Sequence, residues 1–154
     1  MCWRGGIKYF ARLTSLIAVV VWLLPALVPF AAPARASVIT TGDVDPGGAG
    51  SQSDPWAVGG TLKVGETGSG TLNIEAGGEV SNTAGHIGYQ SGSTGVAMVT
   101  GSGSQWNNSN KLYVGYAGNG TLNVESGSVV SNLDGDIGSQ SGSTGVTTVT
   151  GSGS

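Results

Sequence analysis

His86 is the chain's one histidine, and with nine acidic residues it is the material from which a reaction centre would be built. Glu75 and Glu125 recur 50 residues apart, and two carboxylates on one face are what glycan hydrolysis needs. A repeated Glu on an outward strand position is also an ordinary solubilising charge, and these two read as that. His86 is replaced by Asp136 in the second copy of the repeat described below, which puts it at a variable outward corner. Asp43-Val44-Asp45 suggests a calcium loop, but the further oxygen ligands at defined spacing are missing, so it reads as an acidic turn. The serines fall in repeated corners and form no Ser/His/Asp constellation. Gly118-Asn119-Gly120 has neither the Lys nor the strand-to-helix setting of a phosphate cradle and reads as a corner needing positive φ. Trp56 and Trp106 read as core or corner plugs in preference to sugar-stacking platforms. No catalytic residue, cofactor or metal ligand is assigned.

The elements that hold these residues are set by a repeat. Val64 to Ser104 returns as Val114 to Ser154, with 28 of 41 paired positions identical. Identity at that level marks a module copied in tandem. A finer period lies inside it. Leu72 falls on Ala97, Ile74 on Val99, Gly78 on Gly103 and, after one inserted residue, Val80 on Trp106, giving a half-unit of about 25 residues. Each half opens with an aliphatic-Gly pair (Val64-Gly65, Ile87-Gly88, Val114-Gly115, Ile137-Gly138), turns a Gly/Ser-rich corner and then alternates apolar with polar. Alternation at period two sends Leu72 and Ile74 to one face and Asn73 and Glu75 to the other, the pattern of a half-buried strand.

Helix is excluded by composition. Glycine makes up 29 of 154 residues, each costing a helix roughly 1 kcal/mol relative to Ala, with no apolar stripe to offset it. Strands of a β-sandwich occupy different environments and have no reason to match, whereas coils of a solenoid do match. The expected fold is therefore all-β, a parallel β-solenoid (β-helix) of about 25 residues per coil, two coils per 50-residue repeat, preceded by an N-terminal signal helix. Its core is expected to hold Leu62, Val64, Leu72, Ile74, Val80, Val99, Trp106, Leu112, Val114, Leu122, Val124, Val130 and Val149. At a coil spacing of about 4.8 Å, four to five coils give a rod about 20 to 25 Å long. Asn82 and Asn132, identical but one full copy apart, would lie roughly 10 Å from each other and form no directly stacked ladder.

Residues 1–36 read as a signal peptide. Arg4, Lys8 and Arg12 supply a positive start, Leu13 to Phe30 is almost wholly apolar, and Ala34-Arg35-Ala36 gives the small-x-small pattern for cleavage before Ser37. Cys2 lies in the leader, so the mature chain has no disulfide to rely on. From Ser37 onward Lys63 and Lys111 face nine acids, a net charge of −7, which disfavours nucleic acid as a partner. Residues 37–55 match the repeat poorly and read as an N-terminal cap or linker, with Val38 and Ile39 beginning a capping coil. Residues 56–154 are the solenoid, in phase from Trp56. Ser154 falls inside a coil, so the array reads as truncated at its C-terminal side, with end-to-end self-association expected of the uncovered rungs.

The phrases VGxxGxGTLNIExGGxVSN, IGxxSGSTGxxxVTGSGSxW and the following LYVG resemble the repeat of type V secretion autotransporter passengers and of bacterial proteins carrying a PEP-CTERM sorting signal, over residues 53 to 154. That resemblance implies an exported protein of the Gram-negative bacterial envelope, at the cell surface, in the outer membrane or secreted, with attachment to the outer membrane through a further C-terminal region. A solenoid's long, regular surface of Thr, Ser and Asn suits weak multivalent contact, and with no catalytic motif the expected role is a non-enzymatic, adhesin-like structural repeat whose partners are a surface glycan or extracellular matrix. The alternatives are the non-catalytic portion of a polysaccharide-active β-helix enzyme, and a pure spacer stalk.

Overall fold

The computed structural model describes residues 34–154. The signal helix and most of the signal segment fall outside the described residues. Ala34 and Ala36 are exposed and belong to no strand, and Ser37 is the first residue of β1.

Fifteen strands and no helix make up the described residues. Three come before the array: β1 (Ser37–Gly42), β2 (Val44–Asp45) and β3 (Gly50–Ser51). Then come four coils of three strands each: β4 (Trp56–Ala57), β5 (Thr61–Val64), β6 (Ser69–Glu75); β7 (Glu79–Asn82), β8 (Ala84–Ile87), β9 (Thr94–Thr100); β10 (Gln105–Asn108), β11 (Lys111–Val114), β12 (Asn119–Glu125); and β13 (Val129–Ser131), β14 (Asp134–Ile137), β15 (Thr144–Thr150). Equivalent strands of successive coils pair in parallel, so the chain is a β-solenoid of four turns with three sheets. The first strands of the coils form one sheet, the second strands another, and the long third strands the broadest.

The broad sheet keeps a register of 25 residues, as in Leu72 opposite Ala97 and Ile74 opposite Val99. The narrower sheets deviate from it together, short at one coil step and long at the next. Val80 lies opposite Trp106, an offset of 26. Leu62 lies opposite Gly85, an offset of 23, and Gly85 opposite Leu112, an offset of 27. These inequalities bring a large side chain over a small one. The inward columns read Trp56, Val80, Trp106, Val130; Leu62, Gly85, Leu112, Gly135; and Leu72, Ala97, Leu122, Thr147. Large coils thus alternate with small ones. A Cβ on Gly85 would meet Leu112 Cδ1 at 2.8 Å and Trp106 Cζ2 at 3.0 Å, so the small coil is small because its neighbour's rings occupy its volume. Close packing of this kind needs a pair of coils, which gives a physical reason for a sequence repeat of 50.

Leu62, Val64, Leu72, Ile74, Val80, Val99 and Trp106 are wholly buried, and Leu112, Val114, Leu122 and Val124 nearly so. Val130 is half-buried against this cluster. Val149 differs from expectation: it stands opposite Val124 in the core column, yet is 58% exposed, because among the described residues no strand lies over β15.

Corners obey two separate constraints. Gly88 and its equivalents follow the aliphatic residue with φ near +70°, and a Cβ on Gly88 would lie 2.3 Å from the Asn119 carbonyl oxygen. Gly118 and Gly120, expected to need positive φ, do not lie in the left-handed region. What excludes a side chain from Gly120 is proximity, since a Cβ there would stand 2.1 Å from the Gly115 nitrogen. Serines of the GSGS phrase tie the opposite corner: Ser104 Oγ donates to the Thr100 carbonyl at 2.7 Å and accepts from Gly77 N–H at 3.0 Å.

The N-terminal strands form no coil. The coils visit the sheets in one rotational sense, and the chain from β1 to β2 runs in the other, so β1 lies antiparallel on β6 and β2 antiparallel on β5. Val38 and Val44 nonetheless cover Ile74 and Val64. Asp43 accepts from the backbone N–H groups of Thr67 and Gly68, each at 2.6 Å. Those bonds hold its carboxyl below the usual carboxylate range, Gly68 contributing most.

Candidate functional site

The residues flanking each aliphatic-Gly pair point outward from the second sheet and its corner. They are Lys63 and Glu66, His86 and Tyr89, Tyr113 and Tyr116, and Asp136 and Ser139 in successive coils. Parallel register stacks them into two columns. His86 therefore occupies the outer face of β8 instead of a corner, and lies flat against Tyr113, with ring centroids 4.7 Å apart and planes 5° from parallel. Tyr89 stacks on Tyr116 at 5.4 Å and 13°. Across the columns the rings meet edge to face, Tyr113 with Tyr116 at 5.0 Å and His86 with Tyr89 at 5.0 Å. Both are favoured aromatic geometries.

A lysine and carboxylates stand at each end of this block. Lys63 Nζ pairs with Glu66 and, at 3.6 Å, with Asp45, and lies 5.1 Å from the Tyr89 ring centre. Lys111 Nζ pairs with Asp134 at 2.9 Å and Asp136 at 3.8 Å, 5.6 Å from the Tyr113 ring centre. The Glu66 and Asp134 partners each raise their lysine's pKa, so both lysines stay charged at neutral pH. Burial, then the charge of Lys63, lowers the His86 pKa to about 4. The imidazole is neutral at pH 7, and its buried Nδ1 has no hydrogen-bond partner.

The neighbours decide which ring faces remain free. His86 and Tyr113 cover each other, as do Tyr89 and Tyr116. On its far side Tyr116 is followed in its column by Ser139, too short to cover a phenol ring, while Asp136 and Lys111 stand in the neighbouring column beside Tyr113. The block as a whole offers an aromatic face, carboxylate acceptors and an ammonium donor, a combination suited to hydrogen-bonding and stacking on a saccharide.

Other candidate residues do not join this block. Glu75 and Glu125 share an outward column of the broad sheet but are separated by Thr100. Trp106 is buried and donates through Nε1 to Asn82 Oδ1 at 2.6 Å; Asn82 in turn donates to Asn108 Oδ1 at 2.7 Å. Asn82 thus pairs with Asn108, a residue outside the identical phrases, and Asn108 donates in turn to the Ser131 carbonyl at 3.3 Å. Among the described residues no three His, Cys, Asp or Glu side chains come together as a metal cradle. The tyrosines were legible in principle, since Tyr89, Tyr113 and Tyr116 all flank the recurrent aliphatic-Gly pair. No family model, curated protein or solved structure matches this chain.

Proposed function

We propose that the chain is an exported structural repeat of the bacterial cell surface, akin to autotransporter passengers and PEP-CTERM-associated repeats, and that it serves adhesion to a neutral surface glycan or extracellular matrix. The observation that carries this reading is the outward block of His86, Tyr89, Tyr113 and Tyr116 on a rod whose inward residues are taken up by the apolar core. A buried core accounts for the inward residues; four rings on the outside of one sheet are not needed for it. The surrounding charge supports a neutral ligand over an anionic one, because four carboxylates accompany two lysines at the block.

The test is retention on insoluble neutral polysaccharides followed by product analysis. Retention without new reducing ends is expected, and Tyr116→Ala should weaken it about three- to tenfold, the worth of one aromatic contact. No retention on any neutral glycan would leave the spacer reading in its place, and new reducing ends would make the chain an enzyme.

A further inference from the structure

Three of the chain's four tyrosines, Tyr89, Tyr113 and Tyr116, meet in the outward block. Phenols carry a chemistry that saccharide stacking does not use. Each gives up one electron and one proton, and the resulting radical has much of its spin on the ring carbons ortho to the oxygen. Two such radicals join carbon to carbon when their rings are held together, and Tyr89 and Tyr116 are held so. They stand on adjacent rungs, where the Tyr116 N–H donates to the Gly88 carbonyl at 3.1 Å and the Ala117 N–H to the Tyr89 carbonyl at 3.2 Å. Their ring centroids are 5.4 Å apart and their planes 13° from parallel, so like edges overlie. His86 meets both rings edge to face, at 5.0 Å and 5.2 Å, and keeps them in line. Both tyrosines are partly exposed, within reach of an oxidant in solution. Tyr113 is placed differently: it lies flat on His86 and meets Tyr116 at 75°, one ring's edge directed at the other's face, so the ortho carbons of the two do not overlie. The stack has no sulfur tie to do the same work, because Cys2 is the chain's one cysteine and no disulfide joins coil to coil.

We propose that Tyr89 and Tyr116 are an oxidative cross-linking site, at which a peroxidase using hydrogen peroxide couples the two phenols and staples the second coil to the third. Each phenol loses the hydrogen of its hydroxyl. The rings turn about their side-chain bonds until an ortho carbon of one meets an ortho carbon of the other, and a C–C bond forms there. The hydrogen on each joined carbon then moves to its ring oxygen and restores both phenols. Overall two C–H bonds are broken and one C–C bond is made, while two electrons and two protons pass to the peroxide, which leaves as two waters. Turning of partly exposed side chains is fast, and holding the pair on neighbouring rungs makes the coupling unimolecular. The staple joins residues 27 apart in sequence and, like a disulfide, restricts the unfolded chain.

The experiment treats the full 154-residue chain, dilute enough to stay monomeric, with a haem peroxidase and hydrogen peroxide. Trypsin then separates Tyr89, in residues 64–111, from Tyr113 and Tyr116, in residues 112–154. The expected product has these two fragments joined, lighter than their sum by two hydrogen atoms and carrying the blue fluorescence of a coupled biphenol. Tyr89→Phe and Tyr116→Phe keep the ring stack and should each lower the yield about tenfold or more, while Tyr113→Phe should leave it within about twofold. The coupled chain should melt several degrees above the untreated one. Fragments that fail to join, joining that survives Tyr89→Phe or Tyr116→Phe, joining lost in Tyr113→Phe, or coupling that yields only chain dimers overturns the site. A melting temperature unchanged by the cross-link overturns its role as a staple.

Discussion

Thr40 and Thr147 occupy matching inward positions at opposite ends of the rod, the first opposite Leu72 and the second opposite Leu122. Thr40 is 1% exposed, and its hydroxyl is satisfied by the Gly48 and Gly50 carbonyls and by Gln52 Nε2. Thr147 is exposed, and among the described residues no such loop lies above it. The same residue type is thus a sealed cap element in β1 and an ordinary rung of the coil pattern in β15. Termination of a stack, on this comparison, does not come from the coil pattern. It comes from a segment that runs against the coil's rotational sense, covers the core with Val38 and Val44, and brings its own polar partners. Repeat proteins need such end segments to keep apolar rungs from water.

Glycine substitutions break the comparison most severely. Gly95 and Gly145 are equivalent, and a Cβ on either would lie 2.1 Å from a carbonyl oxygen, of Val64 or of Val114. Gly95→Val lies between coils on both sides and should cost on the order of 4 kcal/mol or more, whereas Gly145→Val should loosen only β15. Thermal unfolding followed by circular dichroism measures both. Equal losses would show that the fourth coil is as firmly held as the second.

The two threonines give a smaller contrast. Thr40→Val leaves the Gly48 carbonyl and the Gln52 amide without their partner and should destabilise by about 1–3 kcal/mol. Thr147→Val should stay within about 0.5 kcal/mol, since no bond is lost and the site faces water. Chemical denaturation of the two variants decides; a Thr147→Val cost matching that of Thr40→Val would mean that the open end is already covered in solution.

The smallest effect concerns His86 and Asp136, which share one column two coils apart. Burial, then the charge of Lys63, lowers the His86 pKa to about 4 from 6.5. As pH falls from 6.5 the unfolded chain takes up this proton first, so the contribution is complete above about 6.5 and is lost toward 4. His86→Phe keeps the ring stack and should flatten this part of the melting temperature–pH profile. An unchanged slope in that variant would place the titration elsewhere.

Much of this was readable from local pattern. Leu72, Ile74, Leu122 and Val124 alternate with polar neighbours in identical phrases, and such alternation directly dictates which face is buried. The aliphatic-Gly pairs likewise announced the corners. The aromatic block was only half visible: its residues flank those pairs, but which ring lies on which depends on offsets of 23 and 27 that the 50-residue period averages away. The Asn82–Asn108 ladder was hidden for the same reason, since its partners are not identical residues of a repeat. The direction of β1 was not legible either, because Val38 and Thr40 alternate in the same way whether the strand runs with the coils or against them.

The sequence by itself determined the coil, its inward residues and the doubling of the repeat, because these follow from spacing along the chain and from side-chain volume. Only the tertiary structure decided the reversed cap, the stacked rings and the fit of Trp106 and Leu112 over Gly85. Each depends on which segments become neighbours across the stack, and that is set by packing large coils onto small ones, a relation between residues distant in sequence.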